Sequence, residues 1–221
     1  MWSYYGSKLR LAKKYPSPRF DTIIEPFAGA AQYSLLHFEK DVILVDKYDV
    51  VIKVWRWLQK CSPKDILSLP KIEAGTKVSD FTWDCDEAKW LVGFIIAAGV
   101  STPRNTPSPW RTTLRPTSQQ YKKLEIANSL YKIRHWKFIH GDYQCLDNTK
   151  ATWFIDPPYQ TGGTQYKHSD MNYAELSDWS KSRKGQVIVC ENDKADWMDF
   201  VFLSDLHGVK HHTKEVVYLQ G

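Results

Sequence analysis

The sequence predicts an α/β fold: a doubly wound, largely parallel sheet carrying a mainly helical insertion. Three observations predict it. Short apolar runs alternate with segments of helical periodicity towards both ends of the chain, as successive βαβ units require. One of those runs, DVILVD at 41–46, is apolar almost throughout, the pattern of a parallel strand covered on both faces. Between the two alternating regions the chain reads instead as helix, proline-rich loop and helix. A length of 221 residues suits one core and one elaboration, here a core from 1–60 and 136–221 with an insertion at 61–135.

Taken in order, FDTIIE (20–25) is a short apolar run ending in PFAGAA, and SLLHF continues from it as a helix. DVILVD follows as a strand, and then Val51, Val54, Trp55 and Leu58 recur at helical spacing. In the insertion, DCDEAKWLVGFIIAAGV pairs Asp84 with Glu87 three residues on, a capping-box arrangement, and predicts a buried helix of about four turns that breaks at Gly99. STPRNTPSPWRTTLRPTS is a loop with four prolines and three arginines, and a loop of that length inside a compact protein carries function or is disordered. From Ser118 to Arg134 the pattern is helical again, with Tyr121, Leu124, Ala127 or Asn128, and Tyr131 on one side. The last third returns to alternation: WKFIH and TWFID as strands, NYAELSDWSKSR as a helix capped by Asn172, QVIVCEN as a strand, DWMDFVFL as a helix and KEVVYLQ as a final strand.

Composition limits the possibilities. The hydrophobic share of 43% and charged share of 25% are those of an ordinary globular protein, while 10 Trp, 12 Tyr and 9 Phe supply many rings for packing or stacking. Cys61, Cys85, Cys145 and Cys190 are scattered without a C-x-x-C pair, so neither a metal site nor a disulfide framework is expected. The longest apolar run, WLVGFIIAAGV, is too short to span a bilayer, and the amino terminus lacks the apolar core of a signal peptide. A cytoplasmic protein without a membrane partner is expected.

The net charge of +5 is unevenly spread. Lys8, Arg10, Lys13, Lys14 and Arg19 lie in the first 20 residues with no acid among them. Residues 101–140 hold Arg104, Arg111, Arg115, Lys122, Lys123, Lys132, Arg134 and Lys137 against Glu125 alone. Two basic segments on an otherwise acidic body suit a polyanion-binding surface, the alternative being a pair of solvated segments.

In an open α/β sheet, ligands bind beyond the carboxyl ends of the strands. The first strand delivers EPFAGA, where Gly29 permits a tight turn and close backbone approach. The second ends in Asp46, seventeen residues on, near the spacing at which an acid accepts from ribose hydroxyls. HGDY supplies Asp142 and Tyr143 after the third. Neither G-x-G-x-x-G nor a P-loop is present, which favours a nucleoside cofactor without phosphates, S-adenosylmethionine being the common one.

YYGSK at 4–8, PFAGA at 26–30, Asp46, GDY at 141–143 and DPPY at 156–159, in that order around a basic insertion, resemble the Dam-type DNA adenine methyltransferases over nearly the whole chain. The resemblance implies a Rossmann-like methyltransferase sheet, S-adenosylmethionine as donor, the exocyclic amino group of adenine in double-stranded DNA as acceptor, and 61–135 as the target-recognition region. It also implies that Tyr4, Tyr5 and Lys8 contact the cofactor, that Phe27 and Gly29 form the turn beneath it, that Asp46 holds its ribose, and that Asp142 and Tyr143 contact its adenine. Where members that read GATC carry an asparagine-rich loop, this chain has the shorter STPRNTPSPWRTTLR. No residue pattern points to a restriction partner.

A bare D-P-P is also a common strand-ending turn, but FIDPPYQTGG suits a specific chemistry. The adenine amino group is a weak nucleophile because its lone pair is delocalised into the ring. Two acceptors aimed at its protons, the Asp156 carboxylate and the Pro157 carbonyl, favour a pyramidal nitrogen whose lone pair can attack a methyl group, and Pro157 and Pro158 stiffen the backbone that aims them. Tyr159 offers a ring for a flipped-out base, and Asp156, which opens the same motif, is expected to contact the cofactor as well. QTGGTQY then supplies a glycine pair able to hinge a loop, with Tyr166 nearby. Arg104, Arg111 and Arg115 suit base edges, Lys122 and Lys123 suit phosphates, and Trp110 suits a wedge or simple packing. The same acceptor geometry serves adenine in RNA or the cytosine amino group, and a non-catalytic DNA-binding protein on such a scaffold is a further possibility.

Overall fold

The computed structural model describes residues 1–9, 11–115, 117–207 and 212–221, so Arg10 of the first basic segment lies outside the described residues. The chain divides into two compact units, one of Met1–Ser7 with Asp49–His135, the other of Lys8–Tyr48 with Trp136–Gly221. Relative to the expected boundaries, the first seven residues and the helix that begins at Asp49 group with the insertion.

The second unit holds the sheet. Its strands are β1 (Thr22–Glu25), β2 (Asp41–Asp46), β3 (Lys137–His140), β4 (Ala151–Ile155), β5 (Gly185–Asn192), β6 (Val201–His207) and β7 (His212–Gln220), arranged β3-β2-β1-β4-β5-β7-β6. The first five in that order run parallel, and β7 runs antiparallel to both β5 and β6. This α/β sheet, mostly parallel with one antiparallel hairpin, is compatible with a Rossmann-like fold.

Alternation along β4 shows how both faces are covered. Trp153 and Ile155 pack with Ile24, Val187, Val189 and Leu176, the last from α6 (Tyr173–Lys181). Phe154 between them points to the opposite face, where it stacks on Tyr33 of α1 (Gln32–Leu36) at 4.2 Å and takes the edge of Tyr15 at 5.0 Å. Fully burying each such ring stabilises the fold by about 1.5–3 kcal/mol. α6 starts where expected, with the Asn172 side chain accepting from the Glu175 N–H at 3.2 Å.

One expected element is absent. DWMDFVFL does not form a helix; Val201 onward is the edge strand β6 instead. A short apolar run of this kind does not distinguish helix from strand by periodicity. Pairing with β7 decides it, and Val201 and Phe202 stay 55% and 59% exposed on that edge.

The first unit is helical: α2 (Asp49–Lys60), α3 (Pro63–Leu67), α4 (Asp86–Ile95) and α5 (Ser118–Ala127). On α2, Val51, Val54, Trp55 and Leu58 are buried, as their spacing predicts, and Trp2 packs 4.7 Å from Trp55 and 5.8 Å from Phe94 of α4. The Asp84–Glu87 box is not what starts α4: Cys85 caps it without a side-chain bond, and the helix runs 10 residues rather than four turns. The proline-rich segment lies on α4, since a Cβ on Gly93 would meet Pro103 at 2.7 Å and the Arg104 carbonyl at 2.9 Å. It then forms a helical turn at Trp110–Leu114 where a loop was expected throughout.

On α5 the side marked by Tyr121, Leu124 and, beyond the helix, Tyr131 is exposed, and the buried residues include Gln119, Lys123 and Ile126. The polar pair is inside because backbone needs partners there. Gln119 bonds the N–H and carbonyl of Ile72 at 3.1 and 2.8 Å, and Lys123 Nζ donates to the Leu69 carbonyl at 2.7 Å. No helix among the described residues is long and apolar enough to cross a membrane.

Candidate active site

β1 pairs with β2 on one side and β4 on the other, so the strand order reverses there and the chain segments leaving β1 and β4 part to either face. β1 ends at Glu25 before Pro26 and Phe27, and β4 ends at Ile155 before Asp156. The carboxyl ends of β2 and β3, Asp46 opposite His140, continue the same edge.

The turn after β1 is fixed by hydrogen bonds from backbone to strand end. Gly29 adopts φ 43°, a left-handed conformation that glycine takes without a steric penalty, and its N–H donates to Asp46 Oδ2 at 3.0 Å. Asp46 Oδ1 accepts from the Tyr48 N–H at 2.8 Å, and the Ala28 N–H donates to the Val45 carbonyl at 2.9 Å. Burial raises the Asp46 carboxyl to about 6, against the pull of those two amides. Asp46 therefore pins the turn.

The segment after β3 joins this edge through the Gly141 N–H, which donates to the Asp46 carbonyl at 3.2 Å. Asp142 Oδ2 pairs with Lys47 Nζ at 2.9 Å, while Asp142 Oδ1 is buried with no hydrogen-bond partner among the described residues. Tyr143 is buried with its ring 5.7 Å from that of Phe27. Phe27, Gly29, Asp46, Asp142 and Tyr143 are thus brought together.

Around DPPY lies a buried polar cluster. Lys8 Nζ sits 2.8 Å from Asp156 Oδ1 and 3.6 Å from Glu215 Oε1 on β7, donates to the Tyr159 hydroxyl at 2.5 Å, and lies over the Tyr159 ring at 4.4 Å. Tyr159 and Tyr15 both donate their hydroxyls to Glu215 Oε1, at 2.6 and 2.5 Å. Burial alone would lower the Lys8 ammonium, but Asp156 and then Glu215 outweigh it and hold it above its ordinary value. Burial pushes Asp156 up to about 6, with Lys8 opposing. Pro157 and Pro158 are buried, and the Pro158 carbonyl accepts from the Tyr173 hydroxyl at 2.9 Å. One side of the Tyr159 ring, expected to meet a base, already meets Lys8.

Three further acids were not singled out from the sequence. Glu25, 2% exposed, accepts the Ser34 N–H at 2.8 Å, and burial lifts its carboxyl to about 8. Glu191 at the end of β5 accepts the Gln160 N–H at 2.6 Å and the Trp197 indole N–H at 3.2 Å, so it ties the chain just after DPPY to the sheet. Glu215 is 1% exposed. The available signal was an acid inside or at the end of an apolar strand, as in TIIE, IVCEN and KEVVY.

Tyr4 and Tyr5 belong to the helical unit, where the Tyr4 ring packs 5.8 Å from Phe94 and the Tyr5 N–H donates to the Val100 carbonyl at 3.1 Å. Of the residues expected at DNA, Arg104 and Arg115 are exposed and Trp110 is 44% exposed. Two do not fit an exposed role. Arg111 is 5% exposed, donates to Ser3 Oγ at 3.2 Å and carries Trp110 over its guanidinium at 4.8 Å; Lys123 is the buried partner of Leu69 described above. Lys122 pairs with Glu125 at 2.5 Å. Counting charge along the chain treats every basic residue as exposed, and these three are committed to internal or local partners.

No protein-family model matches this chain, and no curated protein matches it.

Proposed function

We propose that this chain is a site-specific methyltransferase of the Rossmann-like kind that moves a methyl group from S-adenosylmethionine to the exocyclic amino group of adenine in DNA. The observation that carries the reading is one edge of one sheet. The Gly29 turn, Asp46, Asp142 and the Asp156-Pro157-Pro158-Tyr159 motif follow four parallel strands at their carboxyl ends, on both sides of the point where strand order reverses.

The residues fit the cofactor. Asp142 Oδ1 is a buried acceptor lacking a partner among the described residues, and an adenine amino group is a donor of the kind it needs. Each Asp46 oxygen accepts one backbone amide and keeps capacity for a ribose hydroxyl. Phe27 and Tyr143 give an aromatic wall beside them. The cofactor supplies an electrophilic methyl on a sulfonium, and Lys8 between Asp156 and Glu215 leaves that cluster with net negative charge to complement it.

Asp156 then accepts a hydrogen bond from one N–H of the target amino group and the Pro157 carbonyl from the other, which localises the nitrogen lone pair for attack; the N–C bond forms as the S–CH3 bond breaks, the thioether leaves, and one amino proton passes to solvent. The ion pair with Lys8 keeps Asp156 ionised near neutral pH, as an acceptor must be.

Calorimetry with S-adenosylmethionine, then transfer of labelled methyl to duplex DNA and to RNA with mass analysis of the nucleosides, tests the reading. N6-methyladenine in DNA is expected. Label found only in RNA or on cytosine would redirect the substrate, and failure to bind the cofactor would overturn the reading.

A further inference from the structure

Asp156 does not stand alone on its loop; it is the outermost member of a chain of contacts that reaches into the sheet. From Asp156 Oδ1 the chain passes to Lys8 Nζ at 2.8 Å, from Lys8 to the Tyr159 hydroxyl at 2.5 Å, and from that hydroxyl to Glu215 Oε1 at 2.6 Å. The same Glu215 oxygen takes the Tyr15 hydroxyl at 2.5 Å. Glu215 sits in β7 opposite Asn192 of β5, and the Tyr15 ring is set edge-on against Phe154 of β4. The inner end of the chain is thus anchored on the sheet.

We infer that Glu215 is a positioning residue for the methyl-transfer reaction: held by Tyr15 and β7, it fixes Lys8 and the Tyr159 ring, and through them the direction in which Asp156 presents its carboxylate. The inference rests on the proposed methyltransferase reading and deepens it. A lysine with a long flexible side chain holds a carboxylate in one place only if its own ammonium is held. Asp156 supplies one partner and the Tyr159 hydroxyl a second, and Glu215 fixes that hydroxyl. A buried carboxylate with two tyrosine donors and a nearby ammonium has its partners satisfied without any contact to substrate.

A purely structural acid and a positioning acid behave differently when Glu215 becomes glutamine. Glu215→Gln keeps size and one acceptor oxygen but loses the negative charge that Lys8 faces. Expected are a fall in kcat of tenfold or more and KM values for S-adenosylmethionine and DNA within about twofold of the wild type. In the cofactor-free protein, the 1H–15N signal of the Lys8 ammonium, sharp in the wild type because the group is buried and bonded, broadens or disappears. Tyr15→Phe removes one donor to the same oxygen and gives a smaller loss in kcat with the same pattern. If Glu215→Gln does not fold, Tyr15→Phe carries the test. A folded variant whose kcat and Lys8 signal both match the wild type overturns the inference. A wild-type protein that binds no S-adenosylmethionine overturns the methyltransferase reading instead, and is recognised before any variant is made.

Discussion

The Lys8 ammonium stands 2.8 Å from Asp156 Oδ1, with the lysine side chain only 7% exposed and that of the aspartate 19%. Removing the cation leaves two carboxylates facing each other with little water. Lys8→Met is expected to destabilise the protein by about 3 kcal/mol, and Lys8→Met with Asp156→Asn by clearly less than the sum of the two single changes. Denaturant unfolding of the three variants checks this, and strict additivity would show that the pair is not coupled.

Asp142 makes the opposite expectation. Its Lys47 partner is a half-exposed ion pair worth little, and its other oxygen bonds nothing among the described residues. Asp142→Ala is therefore expected to change stability by less than about 1 kcal/mol while weakening S-adenosylmethionine binding by about 1.5–3 kcal/mol. Calorimetry that finds the affinity unchanged would place the adenine contact elsewhere.

Glu25 predicts how stability varies with pH. Its carboxyl is raised from 4.5 to about 8 in the fold, by burial, so the folded state holds a proton that the unfolded state has released. Stability is unaffected by this group below 4.5, falls as the pH rises from there towards 8, and is flat above. Glu25→Gln keeps an acceptor for the Ser34 N–H and removes the titration. The variant is expected to melt several degrees above the wild type at pH 8.5 and level with it at pH 4.5. A constant offset at both pH values would count against a buried, protonated Glu25.

The basic residues divide by what they already touch. Lys123→Met removes the bond to the Leu69 carbonyl and is expected to cost about 1–2 kcal/mol of stability with the salt dependence of DNA binding unchanged. Arg104→Ala and Arg115→Ala, at exposed positions, are expected to leave stability alone. Each lowers the salt slope by about one if it meets a phosphate, or relaxes sequence preference if it reads a base edge. Equal effects from Lys123 and the two arginines would contradict the buried position of Lys123.

The sheet was legible because its central strands are apolar runs of fixed length with acids at their ends: DVILVD and TWFID mark strand and strand end together. Asp46 at the end of its strand, and Asp142 and Asp156 just beyond theirs, stand out for the same reason. Glu25, Glu191 and Glu215 also lie inside or at the end of strands, but the partners that let them be buried are supplied by the fold: the Ser34 amide, the Gln160 amide, and Lys8 with two tyrosines. Lys123, expected at phosphates from its charge, lies inside instead, where it and Gln119 bond backbone groups just after α3. β6 was read as a helix because only the strand that follows it in the sequence tells it to be extended.

That strand, β7, enters between β5 and β6, and Glu215 on it meets Tyr15 across 200 residues of sequence. Closing so long a loop is entropically costly and slow compared with pairing neighbouring strands. Until β7 docks, β5 is the open edge of the sheet and the Glu215 carboxylate is missing from beside Lys8. Refolding is therefore expected in two stages, with sheet signal from β1, β2, β4 and β5 rising first and the ring environments of Tyr15 and Tyr159 becoming fixed only afterwards.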